Sequence, residues 1–295
     1  MPKASRTTVH SRVDAPSQVD RTRTVRGQTS GDNEVECYLF KVHVAYVKNP
    51  RVERHLCVPS NFTFKQFASV LGLAFGWGYY DPGRWSPAHV WQFQLCAKRM
   101  LQNVRSILQI QGAMSSHQVE QIPTPGAKML TLCMDSETAK WVPDGDARGA
   151  ETCTLRHIFE PEIEYDELKD LKFNWTYDMG DNWTHLIKFL GVAPSVSALR
   201  SKRRISDGNT AFCYGGKGHG IAEDCGGPMC WEDLRKVLGG NAPEGEYYEQ
   251  WKDWAPQNVD GTEAFDENQF SLSEINANLM GIDRESNSDS DSDSE

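Results

Sequence analysis

The side chains best equipped for chemistry sit in two short stretches, YDMGDNWTH (177–185) and EDCGG (223–227). Together they offer Asp178, Asp181, His185, Glu223, Asp224 and Cys225. Carboxylates beside an imidazole can activate water or hold a divalent cation. If the two stretches meet in space, these six residues form a candidate polar site. Each also has a plain structural use. Asp178 and Asp181 suit a turn, where their side chains bond nearby backbone amides. His185 alternates with Trp183 and Ile187, which turns it toward a core and a hydrogen-bond partner there. Glu223 and Asp224 precede a helix and complement its dipole. No catalytic residue is assigned on this ground.

A second, weaker set is Cys213, His219 and Cys225, with Cys230 close behind. Zinc favours such ligands. Their spacing lacks the paired Cys-x-x-Cys that marks a zinc site, and Cys230 falls in a helical stretch where it can simply pack. GGKGHG (215–220) lacks the Gly-Lys-Ser/Thr ending of a phosphate loop and reads as an ordinary loop. No Gly-x-Ser-x-Gly elbow occurs. The residues name no cofactor.

The elements that must position these groups follow from periodicity. Tyr38, Phe40, Val42, Val44 and Tyr46 alternate along a strand with one apolar face. Phe64, Phe67, Ala68, Leu71, Ala74 and Phe75 repeat at helical spacing. Thr63 and Gln66 have capping-box spacing in front, and Gly76 stops the helix. His89, Trp91, Phe93 and Leu95 share one strand face. Residues 98–128 show no clear pattern, and 129–134 suit a strand. The hairpin arms carry Phe173, Trp175 and Tyr177, then Trp183, His185, Ile187 and Phe189. Gly180 between them is free to take positive φ. Residues 191–210 read as a loop with a basic cluster, Arg200, Lys202, Arg203 and Arg204. A helix starts near Pro228, with Trp231, Leu234, Val237 and Leu238 inward. A short aromatic helix holds Tyr247, Trp251 and Trp254. The last helix runs from Ser271 toward Gly281, with Leu272, Ile275 and Leu279 inward.

The chain has 295 residues and a formal net charge of -10. That average field repels nucleic acid, although a local basic patch can still bind phosphates. Residues 1–34 lack hydrophobic periodicity, carry Lys3 and five arginines, and are expected to be a disordered basic tail. Residues 282–295 are expected to be a disordered acidic Ser/Asp tail. Ser286, Ser288, Ser290 and Ser292 each have an acid three residues on, the pattern of acidophilic kinase sites. MPKASRTTVHSRVD shows no secretory leader, and no run of about 18 apolar residues exists, so no membrane span is expected. The expected compartment is cytosol or nucleus, with the eight cysteines reduced.

Five segments in order resemble the plasmid pRiA4b ORF-3-like family. YDMGDNWTH resembles its Y-D-F-G-D-x-W-x-H hairpin, with Met179 for the usual Phe. NPRVERHLCVP (49–59) resembles its proline, arginine and V-P stretch, with Glu53 where Trp is common. AFGW followed by HVWQF matches its G-W and H-L-W-x-F pattern, with extra residues between. EDCGGP matches its P-E-D-C-G-G loop, with Ala222 for the proline, and FDENQFSLSEINANL (265–279) matches its closing helix. The resemblance implies an α+β roll over residues 35–281, a mostly antiparallel sheet with helices packed on one side. Trp91, Trp183 and Ile275 should then share one core. It implies no activity, because fold does not fix function. The expectation is a non-catalytic binding or scaffold domain with protein partners. The alternative is a metal-assisted hydrolase or nuclease-like enzyme using Asp181, His185, Glu223 and Asp224. The third reading is nucleic-acid binding, which the net charge disfavours.

Overall fold

The computed structural model describes residues 35–81, 84–96, 128–142, 147–159, 171–259, 265–280 and 282. The expectations for residues 1–34, 98–127 and 283–295 lie outside the described residues, whereas Ile282, expected in the acidic tail, is buried in the core. An eight-stranded sheet organises the fold. Its strands are β1 (Cys37–Val44), β2 (Glu53–Pro59), β5 (Trp91–Cys96), β6 (Lys128–Cys133), β7 (Ala147–Gly149), β8 (Lys172–Tyr177), β9 (Trp183–Val192) and β10 (Phe212–Lys217). They lie in the order β10-β2-β1-β9-β8-β5-β6-β7. Every pair is antiparallel except β6 with β7. β3 (Tyr79–Asp81) and β4 (Arg84–Ser86) form a separate ribbon inside the stretch read as a loop.

The helices are α1 (Phe64–Phe75), α2 (Ser136–Ala139), α3 (Leu155–Ile158), α4 (Val196–Arg203), α5 (Gly227–Leu238), α6 (Glu246–Asn258) and α7 (Leu272–Asn278). α1 starts with the expected capping box of Thr63 and Gln66 and ends at Gly76, whose φ of 80° needs a residue without Cβ. Its aromatic side meets the sheet: Phe67 lies 4.9 Å from Phe40 and 5.7 Å from Phe93, ring to ring. Alternation on β1 sends Tyr38, Phe40, Val42 and Val44 into this core. Side chains of α3, α5, α6 and α7 join it, and so do Trp91, Trp183 and Ile275. One core therefore ties most of the described elements together.

The other face of the sheet is not bare. Cys37, Cys57 and Phe212 are buried there beneath Leu39, Val196, Leu199 and Ile205. The stretch read as a loop thus contains a helix, α4, and it packs opposite to the main core. Ser195 caps it by accepting from the Ala198 amide, and its apolar side covers a small patch that sequence periodicity hid. Helices on one side only is therefore not the arrangement. β10 likewise replaces an expected loop. Its glycines have low strand propensity, but pairing with β2 holds them in line.

Two side chains brace the β10 end of the sheet. Arg54 is buried, and its guanidinium donates to the carbonyls of Ala74, Glu53, Lys217 and Gly218. It sits between the rings of Phe75 and Phe270. Burial lowers its pKa to about 10, so it stays charged at neutral pH. Asn276 of α7 acts as a strand partner for the free edge of β10. Its Oδ1 accepts from the Cys213 amide at 2.9 Å, and its Nδ2 donates to the Cys213 carbonyl at 2.9 Å.

Candidate functional site

The β8–β9 hairpin ends in a tight turn built by Asp178. Positive φ falls on Asp178 (53°) and Asn182 (59°), not on Gly180. Asp and Asn tolerate this region because their side chains can bond the local backbone. Oδ1 of Asp178 accepts from the amides of Gly180 at 2.8 Å and Asp181 at 3.2 Å. The Asp178 amide in turn donates to the Val90 carbonyl at 3.0 Å, which ties the turn to the start of β5.

The EDCGG loop docks on this turn. Oδ2 of Asp181 accepts from the Gly226 amide at 2.8 Å. Gly227, with φ of 85°, packs so closely that an added Cβ would stand 2.5 Å from the Asp181 carbonyl oxygen. Only glycine permits both the angle and the approach. Trp183 Nε1 donates to the Glu223 carbonyl, and Trp77 Nε1 donates to that of Ile221. Two buried indoles therefore fix the loop that carries Glu223 and Asp224.

The side chains converge on His89, which comes just before β5. Its side chain is 31% exposed. Nε2 lies 2.8 Å from Asp224 Oδ1 and 3.8 Å from Glu223 Oε1, and Nδ1 lies 3.7 Å from Asp178 Oδ2. Glu223 is held on both oxygens: Oε1 accepts from the Tyr177 hydroxyl and Oε2 from the Gly78 amide at 2.8 Å. Burial, and then the Glu223 carboxylate, push the Tyr177 pKa far up, so the phenol remains a donor. The Asp224 side chain is 66% exposed. Beside these groups lies a cavity of about 200 Å³, lined by Gly78, Ala88, Glu223, Asp224, Trp254 and Asn258. It has room for several waters or one small organic group.

The proposed six residues separate into three roles. Asp178, Glu223 and Asp224 meet around His89. Asp181 spends a carboxylate oxygen on the loop clasp. Cys225 is buried, and its thiol is held up in pKa mainly by that burial. His185 points to the other side of its strand, into the core. Phe75, Trp77 and Trp175 surround its ring at 4.6 to 4.8 Å. Nδ1 faces the carbonyls of Trp175 and Trp183, Nε2 has no hydrogen-bond partner, and burial lowers the pKa to about 3. The cluster of Asp181, His185, Glu223 and Asp224 is thus not assembled around one point.

The weaker metal candidates do not gather either. Cys213 donates its thiol to the Gly215 carbonyl, and His219 bonds the Gly220 carbonyl and stands against Phe265. Among the described residues, the one group with ligand atoms close enough for an ion is His89, Asp178 and Asp224, all within 4.8 Å of one another. Alternation read His89 as a strand-face residue beside Trp91. The signal that could have drawn it out was its place in the H-V-W-Q-F segment.

Among the described residues, no helix is long and apolar enough to cross a membrane. A search among curated proteins found no match. Among solved structures, a protein of unknown function from Methanosarcina mazei Go1 is similar, with 19% identity and a TM-score of 0.49. The similarity covers 81% of this chain and 96% of that one. The model of the plasmid pRiA4b ORF-3-like proteins matches residues 36–274, the span that contains the hairpin, the docked loop and His89. The chain belongs to the plasmid pRiA4b ORF-3-like protein family.

Proposed function

We propose that this is a binding domain whose site is the acidic cleft at His89, and that the cleft takes a small cation. One observation carries the reading: three carboxylates, Asp178, Glu223 and Asp224, are brought to one imidazole, and Glu223 and Asp224 line the adjoining cavity, where none of the described lining residues is a lysine or arginine. Carboxylates held this close repel one another unless a positive charge joins them. Two of the three are pinned by backbone amides, so neither can swing away. Such pre-organisation favours binding because little freedom is lost when the ligand arrives.

Calorimetry on the full chain tests this. Divalent metal ions, methylammonium and methylguanidinium form one set of ligands, and phosphate and acetate form the other. At least one cation should bind, Asp224→Asn should weaken it, and neither anion should bind. Equal binding of phosphate, or no binding of any cation at millimolar concentration, would reject the proposal.

A further inference from the structure

We infer that the cation is a divalent metal ion held by a ring nitrogen of His89 and one carboxylate oxygen each from Asp178 and Asp224. This rests on the cation reading of the cleft and narrows it to a ligand class. The first support is size. The three ligand atoms lie within 4.8 Å of one another. An ion bonded at about 2.0 to 2.5 Å to each spans such a set, with small shifts of the exposed Asp224.

The second support is independent and concerns Asp178 alone. The residue is only 9% exposed. Its Oδ1 is used by the two turn amides. Its Oδ2 is turned toward His89, with Nδ1 at 3.7 Å, beyond hydrogen-bond reach. A cation at the mouth of the cluster would give this oxygen a close partner.

The third support is the donor set. One imidazole with carboxylate oxygens suits zinc, manganese, cobalt or ferrous ions, and the absence of thiolate disfavours copper(I). The nearby Cys225 is buried. Three protein ligands leave coordination positions for water or a bound molecule on the cavity side, as in sites that do chemistry rather than brace a fold.

The test uses the full chain, stripped with chelator and titrated with Zn²⁺, Mn²⁺ and Co²⁺ by calorimetry, with the Co²⁺ absorption spectrum as a second readout. One ion should bind per chain. His89→Ala and Asp178→Asn should each weaken binding by at least about tenfold and alter the cobalt spectrum. Asp233→Asn, which removes an acid on α5 paired with Lys236, should change neither. Asp178→Asn keeps an oxygen for the turn amides, so its far-UV circular dichroism should match the parent. Metal binding that survives both ligand substitutions would overturn the assignment. Binding of methylammonium or methylguanidinium without any metal would overturn it while leaving the cleft reading intact. Silence from every cation would remove both.

Discussion

His185 shows how one residue type in one motif can carry two different meanings. Thr184 and Leu186 flank it on the outer face of β9, so the strand's period of two commits the imidazole to the core. There it is enclosed by three aromatic rings and kept neutral, with its pKa lowered to about 3. In the unfolded chain the same group titrates near 6.5. Above that value both states hold it neutral, and unfolding takes up no proton at this site. As pH falls from about 6.5 to 3, only the unfolded chain takes the proton, so the fold loses up to about 1.4 kcal/mol per pH unit. Urea unfolding at pH 7 and pH 4.5 should show this loss in the parent. It should shrink in His185→Leu, which has no proton to bind. An unchanged acid limb in that variant would assign the loss to other groups. His89 is the contrasting case, a partly exposed imidazole among carboxylates, and it was legible only as the histidine of a strand-like segment.

At the scale of elements, two contacts decide whether the hairpin and the edge of the sheet are usable. The hairpin and the EDCGG loop meet through Gly227 and Asp181. Gly227→Ala demands an unfavourable φ and a Cβ on top of a carbonyl. It should push the loop off the turn and weaken cation binding by at least about tenfold, since a displacement of about 1 Å is enough to spoil such a site. Thermal unfolding should fall only by a few degrees, because the buried aromatic core is untouched. A variant that binds as tightly as the parent would show that the close approach does not set the site. On the far edge, Asn276 closes β10 with paired hydrogen bonds. Asn276→Leu leaves the Cys213 amide and carbonyl without those partners and should cost about 2–4 kcal/mol. It should also raise aggregation, measured by light scattering, because an open strand edge is a template for pairing. Wild-type stability in that variant would mean that water replaces the amide without loss.

At the scale of the molecule, one core gathers described residues from Tyr38 to Ile282. A single contiguous core unfolds as a unit. Far-UV circular dichroism and tryptophan fluorescence should therefore trace one coincident transition in denaturant. Separate midpoints would show that the hairpin side and the α6 side are distinct cooperative units. The charge acts at the same scale. A net -10 favours cations over phosphates in the average field, in keeping with the acidic groups of the cleft.

The chain by itself determined the elements whose apolar period is strong: β1, α1, the β8–β9 arms and the closing helix. It also determined the family, because five motifs stand in order along it. Hydrophobic alternation is a local property, so it can be read without knowing what lies opposite. Tertiary structure alone decided the rest. α4 and β10 carry weak local signals and exist because a patch of Cys37, Cys57 and Phe212 needs cover and β2 needs a neighbour. The site is the same kind of fact. His89 and Asp178 stand 89 positions apart, and Asp224 is 46 positions farther on. Such groups meet only when the sheet, the glycine approach and two indole hydrogen bonds fix them together, and no local pattern encodes that distance.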